Sequence, residues 1–373
     1  MAAAGRTGAD RLGRLLSAAQ DPRYQEPHRR KGWRLWCSFA RSLGQDPFLT
    51  SLQDPASHLE RRHMFLAFAV ALRQGELEGG RQAAGKKIEE ILQYCGATMV
   101  SKGFLDPRRR DPSQHRLDQP ITSYLTRCKR LDPAPKPQQA LPASTIHLIA
   151  EAYCDADDGG HQTTGCLIVL AYFFLLRVGE YTPSPGQRLT VPLRKRDLKL
   201  WRGHQVIPTD APVEELLQAD SVRINIENQK NGKKGATLYH TSTNDVACPV
   251  QAAARLLRQL RGMPPDTPLG TYRTADGTHA RITAKTIRTT LRHTATYQNL
   301  ANAGYDYDHI GSHSLRSGGA MALKLAGYDD DTIKKLGRWS SDTYLTYIQT
   351  QIGNLTAGVA SAMATRLDLR VVN

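Results

Sequence analysis

Four prolines fall within twelve residues, Pro133, Pro135, Pro137 and Pro142, and they constrain this chain more than any other feature. A helix cannot run through such a stretch, because each ring removes a backbone donor and collides with the preceding turn. Proline-rich segments run extended instead. The chain is therefore expected to divide here: residues 1–29 as a flexible or helical lead, 30–130 as a first domain, 131–142 as a linker and 143–373 as a second domain.

The first domain reads as a helical bundle. Trp33, Trp36, Phe39 and Ala40 recur at helical spacing, as do Met64, Phe65, Phe68 and Ala71. Ile88, Ile91, Leu92 and Cys95 form a third stripe, and Ile121, Leu125 and Cys128 begin a fourth. Asp-Pro breaks at Pro47, Pro55 and Pro107 separate them. The second domain mixes elements. Ser144 is expected to cap a helix through Tyr153. The apolar run from Thr163 to Leu176 predicts a buried central helix whose last turn delivers Arg177. Short strands are expected at 198–201, 222–226 and 236–240, and the Asn231-Gly232 pair between the last two has hairpin chemistry. Pro249 and Thr283 begin further helices, and helices continue from Ser314. The expected class is mainly α with a small antiparallel β-sheet.

Charge selects the partner. Fifty Lys and Arg against thirty-five Asp and Glu leave a formal +15, which favours a polyanion and, before others, nucleic acid. Lys285, Arg288 and Arg292 sit at i, i+3 and i+7, a stripe fit for a groove of double-stranded DNA, and Arg108, Arg109 and Arg110 make a second basic cluster. A solvated face is the simpler reading of either. The six cysteines show neither paired nor zinc-ligand spacing, so no metal is expected and they read as buried small residues in a reducing compartment. No apolar run is long enough to span a bilayer. The expected location is intracellular: nuclear in a eukaryote, cytoplasmic or nucleoid in a prokaryote.

Chemistry concentrates in four places. Phe174-Leu-Leu-Arg177-Val-Gly-Glu180 ends the central apolar run. Lys230 lies on the predicted hairpin turn. His313-Ser-Leu-Arg316 precedes Ser-Gly-Gly-Ala, and Gly337-Arg338-Trp339 is followed by Tyr344 and Tyr347. Each has an ordinary alternative: a surface His-Arg pair, a charge at a helix end, a solvated turn lysine, a core aromatic. The order Arg, Lys, HxxR, Gly-Trp, Tyr is not what those alternatives produce together.

This ordered set resembles the tyrosine recombinase, or phage integrase, family over residues 144–350, and the first domain resembles it by position. Cys248-Pro249-Val250 and Trp339-Ser-Ser-Asp resemble the eukaryotic mobile-element branch, the DIRS-like and Crypton recombinases. The resemblance implies a two-domain architecture with a helical core-binding domain and a catalytic domain, and site-specific DNA recombination or integration through a 3′-phosphotyrosyl intermediate. Arg177 and Arg316 would clamp the phosphate with bidentate, permanently charged forks. His313, one turn before Arg316, would donate to an oxygen or move the nucleophile's proton. Tyr347 would attack, and Lys230 would protonate the leaving 5′-oxygen, with Lys233 and Lys234 as rivals. Glu180 would orient an arginine. Trp339 would donate its indole N–H to the phosphate. Arg338 disputes that position: it lies directly after Gly337, where the family carries His or Trp, and the ten-residue interval from Gly337 favours Tyr347 over Tyr344. The chemistry needs no cofactor. A tetramer on DNA, docked through a helix within 348–367, is the implied assembly. A catalytically silent DNA-binding regulator, or a topoisomerase or resolvase with the same chemistry, is the alternative.

Overall fold

The computed structural model describes residues 27–77, 80–111, 116–134, 138–183, 190–228, 234–340 and Leu345. The chain divides into two compact units, Met1–Pro135 and Lys136–Asn373. Several sequence expectations lie outside the described residues: the lead before residue 27, Lys230 and Lys233, Tyr344 and Tyr347, and the tail 348–367.

The first unit is a bundle of α1 (Pro27–Ser42), α2 (His58–Gln74), α3 (Gly85–Ser101) and α4 (Gln119–Leu131). The four apolar stripes become one core, with Trp36, Phe65, Phe68, Ile88, Cys95, Met99 and Ile121 all fully buried. Trp36 stands edge-on to Phe65 and Phe68, at ring-centroid distances of 4.7 and 5.2 Å. Its indole N–H donates to the Pro47 carbonyl at 2.8 Å, so the buried ring carries no unmet donor. Two of the predicted DNA contacts are committed inside this unit. Arg108 is buried, with Nη2 2.7 Å from Asp106 Oδ2 and Nε 2.9 Å from Oδ1. Arg109 lies 3.4 Å from the same carboxylate. Gly96 leaves the space this pair occupies. The basic run is thus largely a strut, and Arg110 alone of the three is exposed.

The second unit surrounds a central helix. α5 (Ala143–Tyr153) begins after Pro142, so Ser144 lies inside its first turn, and no side chain caps the helix. α6 (Gly159–Phe173) is capped by Asp158, whose carboxylate accepts from the His161 N–H. Nearly every residue from Gln162 to Tyr172 is buried, as the unbroken apolar run requires. α6 stops at Phe173, earlier than predicted. Leu175 takes a left-handed conformation at φ 48°, and Arg177 follows on a turn rather than on the helix.

The sheet has the order β2-β1-β3-β4, all antiparallel, from β1 (Leu198–Arg202), β2 (Gln205–Ile207), β3 (Ser221–Asn228) and β4 (Lys234–Thr241). Alternation along the strands turns Leu198, Leu200, Val222, Ile224, Ile226 and Leu238 inward. The stem of the β3–β4 hairpin closes with Asn228 opposite Lys234. Lys230 falls within the segment between them. α7 (Val213–Leu217) links β2 to β3, and α8 (Pro249–Gln259), with Pro249 in its first turn, packs on both α6 and the sheet. A two-stranded ribbon that the sequence did not suggest, β5 (Thr271–Arg273) and β6 (His279–Arg281), precedes α9 (Ala284–Tyr297). The helix expected to begin at Thr283 does so, and Thr283 also caps it, accepting from the Thr286 N–H.

α10 (Ser312–Leu325) crosses close to α6, and α11 (Asp330–Gly337) follows. The close approach needs Gly319: a Cβ there would overlap the Tyr172 carbonyl oxygen and the Leu175 side chain. Backbone cannot move aside as a side-chain tip can. Gly319→Ala is expected to destabilise the protein by about 1–3 kcal/mol through overpacking, read as a lowered midpoint in denaturant unfolding. An unchanged midpoint would mean that the two helices separate at little cost.

Candidate active site

The site forms where α6 ends, α10 begins and α11 ends. The turn after α6 puts Glu180 fully inside the protein. A buried carboxylate must be compensated, and Glu180 is compensated several times over. Its Oε2 accepts from the Arg177 backbone N–H at 2.8 Å, and its Oε1 lies 3.3 Å from Arg177 Nη1. Its Oε2 also accepts from Arg338 Nη2 at 3.0 Å. Glu180 therefore holds two arginines and is closed to solvent.

Arg316 sits in the second turn of α10 and is 1% exposed. Its Nη1 donates to the Leu175 carbonyl and its Nη2 to the Gly337 carbonyl. These two carbonyls belong to the end of α6 and the end of α11. The guanidinium thus joins segments about 140 and 20 residues away along the chain. The left-handed Leu175 precedes the pair Leu176-Arg177, so the same turn supplies the Arg316 acceptor and the Arg177 side chain.

The Trp339 ring covers the Arg316 guanidinium, with Cζ 4.2 Å from the ring centroid. Gly337 is what permits this. A Cβ at 337 would land inside the Trp339 ring. Arg338, between them, takes φ 56° and turns its side chain back to Glu180 and to the Leu175 carbonyl, both at 3.0 Å from Nη2. The two residues that competed for the position after Gly337 therefore go to different places. Trp339 stacks on Arg316, and Arg338 reaches Glu180. Burial pushes the Arg338 guanidinium below its ordinary value, and the adjacent Glu180 opposes that shift.

His313 lies one turn before Arg316 on the same helix and is half-buried. Its backbone N–H donates to Gln138 Oε1 at 3.1 Å, while the Gln139 N–H donates to the His309 carbonyl at 3.0 Å and the Leu141 N–H to that of Ser314 at 3.2 Å. The end of the proline-rich segment is thereby stitched along the start of α10. Of the basic stripe on α9, Lys285 and Arg288 are exposed, but Arg292 is committed. Its Nε and Nη2 donate to the carbonyls of Ile310 and Asp308 at 3.0 and 3.1 Å. It fastens α9 to the approach to α10, because the chain returns there with carbonyls that no helix satisfies.

Arg177, Glu180, Arg316, Arg338 and Trp339 are thus brought together, with His313 on the adjoining turn. Of Lys234 only the backbone is described, and Lys230 and Tyr347 lie outside the described residues. Burial pushes the Tyr172 hydroxyl up to about 12 and that of Tyr181 higher still. The sequence carried no sign that a main-chain carbonyl, that of Leu175, would gather two arginines. Among the described residues no group of three His, Cys, Asp or Glu is arranged to hold a metal ion, and no helix is long and apolar enough to cross a membrane.

No protein-family profile matches the chain, and no curated protein matches it. Solved structures resemble it at a distance. The Tn1549 transposon integrase in complex with transposon right-end DNA is 13% identical, with 94% of this chain and 99% of that chain covered and a TM-score of 0.46. The XerH site-specific recombinase bound to a palindromic difH substrate is 13% identical, with 86% and 80% covered and a TM-score of 0.46. A lambda integrase dimer bound to a core site is 12% identical, with 97% and 98% covered and a TM-score of 0.43. Likenesses this distant carry no argument about chemistry, and none of them favours the eukaryotic mobile-element branch. The weight rests on the residues.

Proposed function

We propose that the chain is a site-specific DNA recombinase or integrase of the tyrosine type, which cleaves and rejoins strands through a 3′-phosphotyrosyl bond. The observation that supports this most is the convergence of Arg177 and Arg316. They come from distant segments, and both are anchored on the turn 175–180. A phosphodiester carries a full negative charge, and its pentacovalent transition state carries more. Preorganised guanidiniums aimed at that charge are the largest single contribution a protein can offer. One buried carboxylate against three guanidiniums leaves the cluster cationic, as a phosphate site requires.

In this reading Arg177 and Arg316 hold the non-bridging oxygens, His313 exchanges a proton, and Tyr347 attacks phosphorus. The 5′-oxygen leaves with a proton from Lys230, which lies between β3 and β4 in the sequence. The phosphotyrosyl bond conserves the energy of the phosphodiester, so religation needs no nucleotide. Trp339 acts through Arg316, whose face it covers. Lys285 and Arg288, with Arg110 in the first unit, are the exposed cations of the predicted DNA contacts. Double-stranded DNA is the substrate, and a tetramer on DNA, joined by the C-terminal tail, is the working assembly.

The test is covalent capture. A pool of nicked duplexes with randomised sequence loses the short strand after cleavage and so traps the intermediate. Wild-type protein is expected to form a denaturant-resistant complex, Tyr347→Phe to form none, and both to retain DNA in a filter-binding measurement. Sequencing the trapped DNA gives the cleavage site. A complex that survives Tyr347→Phe but not Tyr344→Phe moves the nucleophile. Absence of any complex with wild type supports a silent DNA-binding protein instead. Strand relaxation without recombinant product from two sites marks a topoisomerase.

A further inference from the structure

We propose that Arg338 is a positioning residue that locks Glu180 and the Leu175 carbonyl in place, and so holds Arg177 and Arg316 as one preorganised pair. The inference rests on the recombinase reading above and assigns a role to the residue at which this chain departs from the family's usual His or Trp.

Three observations carry it. The first is connectivity. Arg338 Nη2 reaches both the Leu175 carbonyl and Glu180 Oε2 at 3.0 Å. The Leu175 carbonyl also accepts from Arg316, and Glu180 also accepts from Arg177. Arg338 is thus the one side chain bonded to both acceptors that hold the two phosphate-clamping arginines, among the described residues. The second is backbone conformation. Arg338 closes α11 at φ 56°, a position where glycine or asparagine is the economical choice. A chain that places arginine there is using the side chain. The third is incomplete satisfaction. The Arg338 side chain is 6% exposed, yet its Nε and Nη1 are buried without a hydrogen-bond partner. A cation buried with unused donors is a poor stabilising device, since an apolar residue of equal volume serves stability as well or better. A buried group of this kind calls for an explanation, and a positioning role supplies one.

Arg338 Nη2 is engaged with protein acceptors. Trp339 covers Arg316. The position after Gly337 is therefore filled by two residues that both work through arginines, one by hydrogen bonding to their shared acceptors and one by stacking.

A double-mutant cycle on single-turnover covalent capture tests this, with wild type, Arg338→Met, Glu180→Gln and the double variant, plus Arg338→Lys. Arg338→Met is expected to slow formation of the covalent complex about a hundredfold. DNA affinity should stay within threefold, because the loss falls on the chemical step rather than on binding. In the Glu180→Gln background the same change is expected to cost less than fivefold, since Arg338 acts through Glu180. Arg338→Lys, which keeps one cationic donor, is expected to recover at least tenfold over Arg338→Met. Additive effects, or a near-wild-type rate for Arg338→Met, overturn the proposal. If Arg338→Met does not fold, the cycle is run with Arg338→Lys, and additivity there overturns it equally. A wild-type protein that forms no complex sinks the recombinase reading and this role together. Failure of this inference alone leaves wild type fully active.

Discussion

Arg316→Lys is expected to slow strand cleavage by about a hundred- to a thousandfold, the range for removing a preorganised donor from a developing anion. The charge is kept, so the effect isolates geometry. An arginine fork donates to the Leu175 and Gly337 carbonyls at once, from separate nitrogens. A lysine ammonium is a single point on a flexible stem and cannot span both. It also lacks the flat face that Trp339 covers at 4.2 Å. At least one buried carbonyl then loses a hydrogen bond; the Leu175 carbonyl keeps Arg338, so the cost reaches about 1–3 kcal/mol of stability if the Gly337 carbonyl is the one left unpaired. Single-turnover covalent capture gives the rate, and denaturant unfolding gives the stability. A rate within threefold of wild type would show that Arg316 only fastens α6 to α11 and does not face the phosphate.

The second large effect is expected from a single methyl group. Gly337→Ala places a Cβ where the Trp339 ring now lies. The ring is the far end of a side chain and can swing out, so the fold should survive with a loss of about 1 kcal/mol, the low end of the overpacking range. The site should not. Without the ring, Arg316 loses its cation–π partner, worth about 0.5–2 kcal/mol depending on desolvation, and its guanidinium is no longer pinned between two carbonyls and an aromatic face. Cleavage is expected to fall about tenfold to a hundredfold with DNA binding unchanged. Trp339 fluorescence is expected to shift to the red as the ring meets water. An unshifted spectrum with normal cleavage would mean that backbone movement accommodates the added methyl and leaves the stack intact.

These expectations rest on features that differ in how far the linear chain reveals them. The four helices of the first unit, the buried helix of the second, the β3–β4 hairpin stem and the α9 cap at Thr283 are all legible in residue order. Each depends on local causes: the 3.6-residue period, alternation, and hydroxyl capping. The Arg177 and Arg316 motifs are legible by spacing. What residue order does not show is the partner of each charge. Arg108, Arg109 and Arg292 read as surface cations because a sequence shows charge but not the acceptor that claims it. Asp106 and the carbonyls of Asp308 and Ile310 are the claimants. The end of the central helix is not legible in residue order, because Phe174, Leu175 and Leu176 stay apolar after the helix ends. They are buried by neighbouring elements and not by their own helix.

The sequence by itself determined most of the elements, the β5–β6 ribbon and the end of α6 excepted, and the order of the candidate side chains, because both depend on residue type and near-neighbour spacing. Only the tertiary structure decided how those side chains are held. It sent Arg338 to Glu180 and Trp339 to Arg316, and it made the Leu175 carbonyl the common acceptor of two arginines. Those assignments depend on where main-chain carbonyls point after long chain reversals, on two glycines that let surfaces touch, and on a buried carboxylate that must be neutralised by whichever cations the fold brings within reach.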